Sequence, residues 1–71
     1  MNILVVGLGL IGGSLCKALK KYTYHTVYGS DINHDIEYAA LRDVAIDKPF
    51  NGDFTDVDLT VIALFPDAAE N

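Results

Sequence analysis

Apolar residues near the amino terminus run without a break, with Ile3, Leu4, Val5 and Val6 following Asn2. A strand wet on one face alternates apolar and polar side chains. An unbroken run predicts a strand covered on both faces, as in a parallel sheet between helices. From Leu10 to about Tyr22 the period changes. Ile11, Leu15, Ala18, Leu19 and Tyr22 recur at helical spacing and are expected to share the inward face of a helix, with Cys16 beside that stripe. Thr26-Val27-Tyr28-Gly29-Ser30 reads as a second strand ending at Asp31. A second helix is expected from about His34 to Arg42, with Ile36, Ala39, Ala40 and Leu41 inward. Asn33 suits its N-cap, and Asp35 and Glu37 suit its first turn. Val44-Ala45-Ile46 reads as a very short third strand, and Lys48-Pro49-Phe50-Asn51-Gly52-Asp53 as a turn-rich connection. Asp58-Leu59-Thr60-Val61-Ile62-Ala63-Leu64 reads as another buried strand, closed by Phe65-Pro66-Asp67.

Strands alternating with helices predict an α/β fold with a parallel sheet. At 71 residues the chain has room for little more than the first half of a doubly wound domain, and it reads as a fragment of one. The expected order places residues 3–6 in the middle of the sheet, residues 26–30 on one side and residues 59–64 on the other.

Composition narrows the function. The net charge of -5 argues against nucleic acid as a partner. Lys17, Lys20 and Lys21 form the only basic cluster and read as a solvated helix end that suits the dipole, with a phosphate patch as the alternative. Cys16 is the only cysteine, so an internal disulfide is excluded and a reducing, cytoplasmic compartment is expected. The amino terminus has no basic stretch before its apolar run and does not read as a signal peptide. No apolar stretch has the length of a membrane span. As a nucleophile or redox group Cys16 would be unusual, since a cysteine on a packed helix behaves as a small hydrophobe.

The residues that carry chemistry lie between the first strand and the first helix. Gly7-Leu8-Gly9-Leu10-Ile11-Gly12 has the spacing G-x-G-x-x-G, which alone is weak evidence. Here a buried strand precedes it, a helical pattern follows it, and Asp31 stands at the end of the next strand, 19 residues beyond Gly12. That combination is the fingerprint of a dinucleotide-binding turn. Gly7 lets the chain leave the strand sharply, Gly9 lets the backbone approach a pyrophosphate, and Gly12 lets the helix lie close to the sheet. The amides of Leu10 and Ile11 are expected to point at the phosphates from the positive end of the helix, and Ser14 offers a hydroxyl nearby, with a hydrogen bond back to the helix as the alternative.

Gly7 and Gly12 also have the glycine spacing of a P-loop. Position 13 is glycine where that motif requires lysine, so nucleoside triphosphate hydrolysis is set aside. Asp31 favours NAD over NADP, because a carboxylate accepts hydrogen bonds from ribose hydroxyls and repels a 2′-phosphate. Ile32, Asn33 and His34 follow it without an arginine, and a protonated His34 is the one feature that keeps NADP open. His25 lies in a connection and is expected to do no chemistry.

The stretch Val5-Val6-Gly7-Leu8-Gly9-Leu10-Ile11-Gly12-Gly13-Ser14-Leu15 resembles the opening of prephenate and arogenate dehydrogenases. Val27-Tyr28-Gly29-Ser30-Asp31 and the segment from Asp58 to Pro66 are similar to later parts of that family's cofactor domain. The resemblance implies oxidative decarboxylation of prephenate or arogenate with NAD or NADP, on the route to tyrosine. It implies cofactor contacts at Gly7, Leu8, Gly9, Leu10, Ile11, Gly12, Asp31 and Ile32, and at Leu64 and Phe65 in a loop beside the cofactor. Phe65 stands where a small aliphatic residue is more usual in the family. The family's catalytic histidine, its substrate-binding arginine and the helical domain that makes its homodimer are expected beyond position 71. The 71 residues are therefore expected to have no dehydrogenase activity by themselves. Two alternatives stay open: another dehydrogenase of this fold, of the β-hydroxyacid dehydrogenase or imine reductase type, and a module that senses NAD without catalysis.

Overall fold

The computed structural model describes residues 1–63. A parallel four-stranded sheet carries the chain. It contains β1 (Asn2–Val6), β2 (Thr26–Ser30), β3 (Lys48–Pro49) and β4 (Leu59–Ile62), in the order β3-β2-β1-β4. Helices α1 (Leu10–Tyr22) and α2 (His34–Arg42) connect β1 to β2 and β2 to β3. The fold is α/β and has the order expected of a partial doubly wound domain.

The central position of β1 explains its composition. Ile3 pairs with Val27 on one side and Leu59 on the other, and Leu4 with Tyr28 and Thr60. Ile3, Leu4 and Val5 are almost fully buried, so the strand has no wet face to alternate with. Both helices lie over the same face of the sheet, where Cys16 of α1 and Ala40 of α2 join Ile3, Val5 and Val27 in one cluster.

The inward face of α1 differs from the stripe of Ile11, Leu15, Ala18, Leu19 and Tyr22. Leu15 and Leu19 pack against the core, but the fully covered positions are Gly12 and Cys16. Ile11 and Tyr22 are 61% and 75% exposed, and Ala18 is exposed as well. At 3.6 residues per turn this is a rotation of about a quarter turn. Its cause is Gly12. A Cβ there would overlap the Gly7 carbonyl oxygen and lie 3.3 Å from the Ala63 Cβ, so position 12 is where the helix touches the sheet layer most closely. The closest contact sets which face turns inward, whatever the apolar residues beside it.

α2 spans the expected residues and begins where its capping residue predicts. The Asn33 side chain accepts the Asp35 N–H at 2.9 Å. Ile36 and Ala39 are half-buried and Ala40 is buried, whereas Leu41 is exposed and not inward. The segment Val44-Ala45-Ile46 is not a strand. Its amides turn back onto α2, Val44 N–H donating to Leu41 O at 3.2 Å and Ala45 N–H to Ala40 O at 2.8 Å. Val44 sits in the left-handed region with φ 59, while Ala45 and Ile46 drop into the core. The run is apolar because it plugs the helix layer. The third strand lies instead in the stretch read as a connection, at Lys48–Pro49, beside β2. A proline is tolerated there because β3 is at the sheet edge. Asp47 N–H donates to Val27 O and Phe50 N–H to Gly29 O, both at 2.8 Å, on either side of the pair.

β4 is also an edge strand among the described residues, and it is not buried. Leu59 is 46% and Ile62 68% exposed, because β4 pairs with β1 alone. No helix among the described residues is long and apolar enough to cross a membrane.

Candidate functional site

The site forms where β1 hands the chain to α1. Gly7 N–H makes a last ladder bond to Ser30 O at 2.7 Å, and the backbone then turns through φ 93 at Gly7. A side chain is strained in that conformation, which is why glycine opens the turn. Leu8 points its side chain down into the core, where it is 6% exposed. Gly9 is the N-cap of α1, with no side chain to offer the first amides, and the first turn of α1 carries no acid. Gly13 N–H makes the first intrahelical bond, to Gly9 O at 2.7 Å. By helix geometry the amides of Leu10, Ile11 and Gly12 have no acceptor within α1. The arrangement presents backbone donors and a positive dipole end with no acid in the first turn of α1, a setting that suits an anion.

Asp31 closes the site from β2. Its Oδ2 accepts the Leu8 N–H at 2.8 Å, and its Oδ1 accepts the Asn33 N–H at 2.9 Å. The acid at the end of the second strand therefore touches the glycine turn directly. Each carboxylate oxygen keeps a further lone-pair direction for a donor such as a ribose hydroxyl.

The structure brings together Gly7, Leu8, Gly9, Leu10, Ile11, Gly12 and Asp31. Leu10 and Ile11 expose their side chains, so what they offer the site is backbone. Leu8 holds the floor of the turn, and Gly12 serves the helix–sheet contact. Ile32 is fully exposed just beyond Asp31. Leu64 and Phe65 lie outside the described residues.

Sequence reasoning missed Glu37 as part of this site. Its Oε1 accepts the Asp31 N–H at 3.2 Å, and its Oε2 lies 3.4 Å from His34 Nδ1. The signal was present in an acid of the first turn of α2, but such an acid is already explained by the helix dipole.

A groove of about 500 Å³ runs from the turn between α1 and α2. Leu8, Gly9 and Leu10 form one end, and Ile36, Ala39 and Ala40 line its far wall. Asp31 is not on its lining, so the groove adjoins the anion-accepting turn within the helix layer without extending it. Cys16 is fully buried, and burial pushes its thiol up to about 11, which disfavours the thiolate and fits a core side chain. Among the described residues no group of three or more His, Cys, Asp or Glu side chains is placed to hold a metal ion. Lys20 is not merely a solvated helix end: its Nζ lies 2.5 Å from Asp47 Oδ1.

Compared with family models, curated proteins and solved structures, the chain has no significant match to any of them.

Proposed function

We propose that this chain is the NAD-binding part of a dehydrogenase of the prephenate or arogenate type. The observation that carries the reading is the hydrogen bond from Leu8 N–H to Asp31, which joins an anion-accepting helix start to an acid suited to ribose. Pyrophosphate and adenosine ribose are neighbours in a dinucleotide, and the amides of Leu10, Ile11 and Gly12 and the Asp31 carboxylate would take one each. The residues fit the group: Gly9 leaves the approach to those amides free of side chain, and Asp31 keeps acceptor capacity beyond its two backbone bonds.

When bound, NAD supplies the hydride acceptor for oxidation of the small-molecule substrate. The protein's share in these residues is to grip the phosphates, orient the ribose and so fix where the nicotinamide end can lie. The finer assignment to prephenate or arogenate as substrate, to a homodimer and to the tyrosine route rests on the resemblance of residues 5–15.

The test is an NMR titration of the ¹⁵N-labelled chain with NAD. Amide shifts concentrated at residues 8–12 and 31–33 are expected. Absence of any localised shift at about 10 mM NAD, where an interaction worth as little as 3 kcal/mol is visible, overturns the proposal.

A further inference from the structure

We propose that Glu37 is a second determinant of cofactor choice, whose charge acts with that of Asp31 to exclude a 2′-phosphate. This rests on the reading of the turn as a dinucleotide site.

Asp31 is occupied on both oxygens by backbone amides, from Leu8 and from Asn33. It is thereby held in place, and the same residue's N–H is tied to Glu37 Oε1 at 3.2 Å. Glu37 is only 14% exposed, so its carboxylate is fixed beneath the start of the β2–α2 connection. Two anchored carboxylates thus flank one short stretch of backbone. A ribose that hydrogen-bonds Asp31 carries its 2′-oxygen into the field of both. Partial burial makes that field stronger than a freely solvated side chain would give.

The cationic groups available do not cancel it. The chain's lysines and its arginine are at positions 17, 20, 21, 42 and 48, so the connection and the first turns of α2 contain none. His34 is the one local group that can become positive, and its Nδ1 faces Glu37 Oε2 at 3.4 Å. Its ring is 80% exposed. A 2′-phosphate recruiting His34 would have to compete with Glu37 for it. Replacing Asp31 alone therefore leaves a negative charge where an NADP-binding site needs a positive one.

Glu37→Gln separates charge from positioning. The amide oxygen still accepts the Asp31 N–H, while the charge is gone. Titrations of the ¹⁵N-labelled chain with NAD and with NADP read both affinities and the integrity of the fold in one spectrum. Unmodified protein is expected to bind NAD more tightly. In Glu37→Gln the NADP affinity is expected to rise about three- to tenfold relative to NAD. Glu37→Lys, which reverses the charge, is expected to move the ratio further in the same direction and serves if the glutamine variant does not fold. An NADP/NAD ratio equal to that of unmodified protein in the folded variants overturns the role of Glu37. Failure of unmodified protein to bind NAD is a separate result, which removes the reading of the turn itself.

Discussion

Leu8 and Asp31 are 23 residues apart in the chain and are joined by a 2.8 Å hydrogen bond from the Leu8 amide to the Asp31 carboxylate. The bond links the outgoing end of β1 to the outgoing end of β2. It gives Asp31 two tasks at once. The carboxylate holds the Leu8 amide of the glycine turn, and in the proposed reading its remaining acceptor directions take a ribose hydroxyl. A substitution at Asp31 therefore acts on the turn as well as on a ribose.

Asp31→Ser is expected to weaken NAD binding by about tenfold or more, the scale of losing a charged acceptor from a ligand hydrogen bond, and to improve NADP relative to NAD. Calorimetric titration with each dinucleotide measures the ratio. An unchanged ratio would show that Asp31 serves the turn alone.

Gly9 and Gly12 separate ligand space from fold space. Gly9 has φ -69, which other residues adopt, so Gly9→Val is expected to fold while a side chain fills the approach to the α1 amides and abolishes NAD binding. At Gly12 even a methyl group collides with the Gly7 carbonyl oxygen. Gly12→Ala is expected to cost about 3 kcal/mol or more, a large part of the stability of so short a chain. Urea unfolding of the two variants distinguishes them. Equal midpoints would contradict the assignment of Gly12 to helix–sheet contact.

Much of the fold is legible in local residue order, and what escapes is set by contacts between distant parts. β1, β2 and α2 are readable because their evidence is local: an unbroken apolar run, a run ending in an acid, and Asn33 as a cap. The face of α1 is not, because Gly12 makes the decisive contact and carries no hydrophobic signal. Reading Gly12 as the close-packing glycine already implies that it faces the sheet, which is incompatible with an inward stripe centred on Ile11 and Tyr22. Val44-Ala45-Ile46 has a strand's composition, yet a positive φ at Val44 sends its amides back to α2. At the site, spacing exposes the glycines and Asp31. The Leu8 amide is backbone and leaves no trace in composition, and Glu37 is masked by a sufficient local explanation.

Asp47 ties α1 to the sheet. Its Oδ1 meets Lys20 Nζ at 2.5 Å and its Oδ2 accepts the Val27 N–H at 2.7 Å. Burial pushes this carboxyl upward, but the hydrogen bonds from Lys20 and Val27, with the charges of Lys20 and Lys48, outweigh it and hold the group below its ordinary value of 3.8. A depressed folded value means that the stabilisation is present above 3.8 and is lost as pH falls through the lower folded value. Asp47→Asn is expected to cost about 1–2 kcal/mol at neutral pH. It should also flatten the loss of stability on acidification below the ordinary carboxylate value. Urea unfolding from neutral pH into the acid range checks both. An acid limb as steep as in unmodified protein would assign it to other carboxylates.

Cys16 provides a test of the core that involves no ligand. Its sulfur belongs to the apolar cluster with Val5 and Val27, and it is 0% exposed. Burial raises the thiol from 9.0 to about 11, so at pH 8 only about a thousandth of it is thiolate, before restricted access slows reaction further. The native protein is expected to react with a disulfide reagent orders of magnitude more slowly than the same chain in urea, at a rate governed by opening of the fold. Cys16→Ala should then remove a well-packed sulfur at a cost of about 1–2 kcal/mol. Cys16→Ser is expected to cost a similar amount, because its hydroxyl can bond back to the Gly12 carbonyl within α1 but is still moved into an apolar cluster. Rapid labelling of the folded chain would mean that α1 does not seat its Gly12–Cys16 face on the sheet. That result would require a different rotation of the helix.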